Sequence, residues 1–224
     1  ISLAINRKAL VAGFWYGLGV TDTRIVPPAL AWASSAHLPA QYSYNPDEAK
    51  KLLAQAGYPQ GFTLDFWYMP ITRSYFPQPK AAAEAIAADL ARVGIRVNLK
   101  TEDWTKYLTD LFAGKLDMYE IGLIGDYGDP DYFYGALYNP TSTVDIGWDA
   151  PKVGDLLEQA RAGLSREARA KAYAQVHELT YAAAYRLPLV HSQSVAAARS
   201  YVKGWVLSPL SSEAYNSIFL QAKR

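Results

Sequence analysis

Apolar and polar positions alternate along this chain with two different periods. Ile1, Leu3, Ala4, Ile5, Ala9 and Leu10 recur at helical spacing from the first residue, with no capping residue before them. Asn45-Pro46-Asp47-Glu48 opens a second helix. Asn45 is suited to the cap, Pro46 to the first helical position, and the two acids to the positive end of the helix dipole. That helix stops at Gly57, a residue that tolerates a left-handed terminus. Phe62 to Met69 reads as a strand. Lys80 to Val93 carries Ala82, Ala85, Ile86, Leu90 and Val93 on one helical face, and Ile95 to Leu99 alternates as a strand. Asp103 caps a helix running to Phe112, and Met118 to Ile124 is a strand leading into a Gly/Asp-rich loop. Two further helices are expected at Pro151 to Ala162 and Arg166 to Tyr185, the second capped by Ser165. After Tyr185 the helices end. Strand-like pieces follow at Leu187 to Val190, Ser194 to Ala198 and Trp205 to Leu207. Alternating helix and strand predicts an α/β layer fold with a parallel or mixed sheet.

Composition narrows the function classes. Half of the 224 residues are apolar, enough for a buried core. Twenty-two basic against 21 acidic residues leave a net charge of +1 without long like-charge blocks, which argues against nucleic-acid binding by bulk electrostatics. The chain has no Cys, so disulfides, thiolate metal sites and a Cys nucleophile are excluded. His37, His177 and His191 show no metal-ligand spacing. No apolar run approaches the ~18 residues of a membrane-spanning helix. A start at Ile1, inside a helical pattern, leads us to expect a fragment of a longer protein.

Two loops carry candidate chemistry, and each follows an expected strand. Met69-Pro70-Ile71-Thr72-Arg73-Ser74-Tyr75-Phe76-Pro77-Gln78-Pro79 places an Arg on a proline-stiffened loop. Ligand crevices of open α/β sheets lie beyond strand carboxyl ends, and an Arg there can grip a carboxylate. A solvated surface Arg is the competing reading. Gly125-Asp126-Tyr127-Gly128-Asp129-Pro130-Asp131 sets three acids in six residues, without EF-hand spacing. Turn and cap chemistry accounts best for Asp129 and Asp131, whereas Asp126 fits a turn or a site equally well. Trp104, Tyr107 and Leu108 read as a packing stripe. The charges of Ser165 to Lys171 read as a solvated helix face, and His191 as a satisfied core or edge residue. Ser192 and Ser194 lack the pattern of a nucleophile elbow.

Taken in order, several segments resemble the C-terminal half of periplasmic solute-binding proteins of the peptide/nickel class (family 5), which serve ATP-driven (ABC) importers. They are Ala4 to Leu10, Tyr44 to Leu53 with Ala56-Gly57-Tyr58-Pro59, Val93-Gly94-Ile95, Asp103-Trp104 with Tyr107-Leu108, Gly125-Asp126 with Asp129-Pro130-Asp131, Leu187 to Ser192, and Val202-Lys203-Gly204. Met69-Pro70 followed by Arg73, Tyr75 and Pro77 is most similar to the dipeptide-binding branch. The resemblance implies that Arg73 holds a peptide carboxylate, that Asp126 holds its ammonium, and that Tyr75, Met69, Gly122 and Leu123 belong to the site. Dipeptide binders commonly carry Gly-Trp where this chain has Gly122-Leu123. Other cargo therefore stays open: oligopeptide, glutathione-like, haem or metal chelate, with a carboxylate-dependent hydrolase as the reading from another class.

The implied fold is one lobe of a two-lobe (type II) binding protein, a mixed sheet flanked by helices plus a crossover tail. Residues 1–185 would form the second ligand-binding lobe and 186–224 a segment packing on the missing first lobe. Two residues of extended peptide span at most ~7 Å. A fixed cation and a fixed anion at that separation gauge ligand length, because a longer peptide leaves buried charges unpaired at roughly 3–5 kcal/mol. The implied partners are a short peptide and an ABC permease, without a cofactor, at a periplasmic or extracellular location that a lipid anchor could reinforce. Weak binding by the fragment alone is expected, and so is dimerisation through the unpartnered tail.

Overall fold

The computed structural model describes residues 1–36, 38, 43–142, 150–210 and 214–221; His37 lies outside the described residues. A 3-10 turn at Ser2–Ala4 precedes helix α1 (Arg7–Phe14). The single helix expected from Ile1 is thus split. Asn6 breaks it, because its side chain accepts the Ala9 N–H at 3.1 Å as an N-cap while its own N–H goes to Asp89 Oδ2 at 2.9 Å. Strand β1 (Gly19–Val20) and a 3-10 segment (Pro28–Ala33) lead to α2 (Pro46–Gln55), capped by Asn45 as expected.

A parallel sheet is the centre of the molecule. Its strands β2 (Thr63–Trp67), β3 (Arg96–Lys100) and β4 (Met118–Tyr119) lie in the order β3-β2-β4. The β2–β3 register runs from Thr63 opposite Arg96 to Trp67 opposite Lys100. It starts where Gly61 and Gly94, both at positive φ, cross so closely that a Cβ on Gly61 would lie 1.9 Å from the Gly94 carbonyl oxygen. Helices α3 (Pro79–Ala91) and α4 (Trp104–Phe112) make the crossovers. Asp103 caps α4 through the Thr105 N–H.

The expected strand Met118 to Ile124 is a correction: it pairs only through Phe66–Met118 and Trp67–Tyr119. The ladder stops there because β2 itself ends at Trp67. The next N–H on the β4 side, that of Met69, goes instead to the Glu120 side chain at 3.3 Å.

A helical layer follows: α5 (Pro130–Tyr138), α6 (Pro151–Ala162) and α7 (Arg166–Ala183), the last capped by Ser165. Strand β5 (His191–Ser192) returns antiparallel to β1, and β6 (Val202–Lys203) pairs antiparallel with β7 (Phe219–Leu220). The parallel sheet and the antiparallel ribbons together give the mixed α/β architecture expected. The tail strands differ in place. Leu187, Leu189 and Val190 are packing residues without a ladder, and Ser194 to Ala198 and Trp205 to Leu207 form no strand.

Three apolar clusters make the core. One joins α5, α6 and α7 through Tyr134, Leu157, Tyr173 and Val176. A second joins α1, α2 and α3 to the sheet through Ile5, Phe66, Ile86 and Leu90. The third gathers Trp15, Met69, Phe76, Tyr107 and Leu111 beneath the carboxyl end of the sheet. Leu187, Leu189 and Val190 pack onto the second and third clusters, so this part of the tail belongs with the unit that precedes it. Beyond Gln193 the chain exposes Val195, Val206, Tyr215, Phe219 and Leu220.

Candidate functional site

The loop after β2 turns back on itself. Arg73 and Phe76 exchange backbone hydrogen bonds at 3.1 and 2.9 Å, which places Arg73 and Tyr75 on one tight hairpin. Phe76 turns into the core and stacks on Trp15 at 4.9 Å, while the Trp15 Nε1–H donates to the Tyr75 carbonyl at 2.9 Å. These contacts anchor the hairpin from below and leave Arg73 free to project. Its guanidinium lies 4.7 Å above the Trp104 ring, which in turn stacks on Tyr107 at 5.7 Å. Among the described residues no carboxylate pairs with Arg73. The contrast is internal. Arg24 is held by both oxygens of Asp22 at 2.9 and 2.8 Å, Arg161 by Asp131 at 2.9 Å, and Arg169 by Asp129 at 2.7 Å.

Tyr75 packs into the space that Gly122 leaves. A Cβ on Gly122 would come within 2.4 Å of the Tyr75 ring. Burial raises the Tyr75 phenol above its usual range, opposed by the nearby Arg73 charge, so the ring stays neutral. Both residues line a cavity of about 280 Å³ where the three core clusters meet. Leu123 and Phe133 are among its apolar lining, and His191 and Ser192 line it as well. Asp126 stands at the end of the same segment. It is exposed and accepts a hydrogen bond from the Tyr132 hydroxyl at 3.0 Å.

The structure therefore brings Tyr75, Gly122 and Leu123 together at one cavity and sets Arg73 and Asp126 on the two loops flanking it. Met69 is different. Its side chain is 1% exposed within the third core cluster and does not line the cavity, so what it contributes is support beneath the hairpin. Asp129 and Asp131 are structural, as their turn-like setting suggested. Asp129 caps α5 through the Asp131 N–H at 2.9 Å. Burial would push its carboxyl up, but Arg169 and that N–H together hold it below the usual range. His191 is a satisfied residue: its Nε2–H donates to the Arg24 carbonyl at 2.9 Å, and burial lowers its pKa. His177 faces the Thr23 carbonyl in the same way at 3.3 Å.

Three residues near the site were not legible as such. Trp104 forms the platform for Arg73; the adjacent acid-Trp pair was the available signal, but nothing in the sequence links it to a loop 31 positions earlier. Tyr132 holds Asp126. Glu120 lies at the start of the segment leading to Asp126 and bonds Met69 at the start of the Arg73 loop; it is 7% exposed, and burial pushes its carboxyl up to about 9 against the opposing Met69 hydrogen bond.

A family model described as bacterial extracellular solute-binding proteins, family 5 Middle, matches residues 1–145. Heme-binding protein A of Haemophilus influenzae is 33% identical, over 100% of this chain and 41% of its own length. The dipeptide-binding protein of Escherichia coli is 31% identical, over 99% of this chain and 42% of its own length. The solved structure of a Pseudoalteromonas dipeptide-binding protein in complex with Met-Leu is similar with a TM-score of 0.83 at 25% identity, over 98% of this chain and 44% of that one. The chain thus spans about two fifths of the length of the curated relatives it matches.

Proposed function

This chain belongs to the family 5 bacterial extracellular solute-binding proteins, and on that premise we propose that it is the second lobe of a receptor that captures dipeptides or short peptides for an ABC import permease. Arg73, with which no carboxylate pairs among the described residues, carries the reading. A cation held on an indole face, without a carboxylate of its own, is preorganised for a ligand carboxylate. Asp126 on the opposite loop is the complementary acceptor for a ligand ammonium. Between them, Tyr75, Gly122 and Leu123 bound a cavity large enough for a side chain, with Met69 underpinning the hairpin. The roles are binding roles. Asp129 and Asp131 are committed to Arg169 and Arg161, which removes two of the three acids a hydrolase reading would need.

In this reading residues 1–185 make the lobe and the exposed apolar stretch beyond Gln193 packs on a first lobe. Closure of two lobes about a hinge then buries the ligand. The same crevice with larger cargo is the second reading. It is favoured by Leu123, which leaves the cavity wall more open than an indole would. Calorimetric titration of the full-length protein with a dipeptide, a tetrapeptide and the amine-acetylated dipeptide tests both. Tight binding of the free dipeptide alone is expected. Equal binding of the acetylated form would overturn the role of Asp126, and preference for the tetrapeptide would favour the larger cargo.

A further inference from the structure

Glu120 is a potentially charged residue in an enclosed place. Its backbone is fully used: the N–H donates to the Trp67 carbonyl at 3.1 Å and its carbonyl accepts the Tyr107 hydroxyl at 2.6 Å. Its side chain leaves the strand register. Oε2 accepts the Met69 N–H at 3.3 Å, and Oε1 has no partner among the described residues. This bond sits where the β2–β4 ladder has ended. Met69 opens the loop that carries Arg73 and Tyr75, and Glu120 opens the segment that carries Gly122 and Asp126. The carboxyl thus bridges the two segments that flank the cavity, at the point where backbone pairing no longer does so.

We propose that Glu120 is a positioning residue: its carboxyl ties the start of the Arg73 hairpin to the Gly122–Asp126 segment and fixes the spacing of the two charges that grip the ligand. This rests on the peptide-binding reading. The surroundings favour the neutral form. The carboxyl is buried with the Met69 N–H as its hydrogen-bond partner, and no Lys, Arg or His pairs with it among the described residues. The titratable groups nearby do not compensate a charge. Tyr107, from α4, is itself raised far above the phenol range by burial first and then by Glu120. Glu102, which adds to that effect, is bound to Lys106 at 2.7 Å, and the Tyr119 hydroxyl receives Arg186 at 3.4 Å. Among the described residues an ionised Glu120 has no counter-charge. It is driven toward water and releases the Met69 N–H.

The test compares wild type, Glu120→Gln and Glu120→Leu in the full-length protein, titrated with Ala-Ala from about pH 7.5 to about pH 10. At the lower pH, Gln keeps the acceptor for Met69 and should bind within about twofold of wild type, whereas Leu should bind roughly 2- to 30-fold more weakly. The ratio of wild-type to Gln dissociation constants should then rise by about threefold or more at the higher pH, because only wild type ionises there. The peptide's own amine titrates equally in both measurements and cancels. Parallel pH profiles would overturn the proposal, and this arm decides it even if the Leu variant does not fold. Absence of Ala-Ala binding by wild type at every pH would instead overturn the peptide reading, and the positioning role with it.

Discussion

Replacing Glu120 by Gln should stabilise this protein, and the gain should depend on pH. In an unfolded chain the carboxyl titrates near its ordinary value of 4.5; in the fold, burial holds the proton on up to about 9. Between these values the unfolded state binds fewer protons than the folded one. Stability therefore falls as pH rises, by about 1.4 kcal/mol per pH unit. The favourable contribution is complete below the unfolded value and is lost once pH passes the folded one. At pH 7 the loss has run for about two and a half units, or about 3 kcal/mol. Gln has nearly the same shape, presents an oxygen to Met69, and does not titrate. The variant should thus exceed wild type by about 3 kcal/mol at pH 7 and approach it near pH 4.5. Burying an amide instead of an acid shifts the whole difference by a constant and leaves its slope intact. Urea unfolding followed by tryptophan fluorescence, repeated at several pH values between those limits, measures that slope. Stability curves that run parallel for the two proteins would refute the reasoning, since Glu120 would then titrate alike in the folded and unfolded chains.

Other expectations follow from single contacts. Arg73→Met and Asp126→Asn should each weaken dipeptide binding at least ~30-fold by calorimetry, because each leaves a ligand charge unpaired in a closed crevice. Gly122→Ala sets a methyl 2.4 Å from the Tyr75 ring and should displace it, lowering affinity while circular dichroism stays unchanged. Gly61→Ala combines a positive φ of 72° with a 1.9 Å approach to the Gly94 carbonyl, and should cost more than ~1 kcal/mol in chemical denaturation.

Much of the framework is written locally in this sequence. Asn45-Pro46 before α2, Asp103 before α4 and Ser165 before α7 announce helix starts because a cap bonds an amide two or three positions away. Apolar spacing within one helix predicts its buried face for the same reason, and the β2 and β3 strands alternate or concentrate apolar residues within five positions. The loop bearing Arg73 was legible as a place for a candidate site because it follows such a strand, and the Asp126 loop was marked by an expected strand of which only Met118–Tyr119 pairs.

The tertiary structure decided what depends on distant neighbours. Asn6 caps α1 through the nearby Ala9 N–H, but its own N–H is taken by Asp89, 83 positions away. The expected strand at Met118 to Ile124 is cut short because β2 supplies no further pairing. Leu187 to Val190 pack rather than pair, while the adjacent His191–Ser192 pairs with β1 near the opposite end of the chain. Arg73 rests on Trp104, Tyr75 fills the space above Gly122, and Glu120 is buried against Met69. None of these has a local signal, because burial and counter-charge are properties of the assembled surroundings. The same Arg or Glu would be an ordinary solvated residue on another face of this fold.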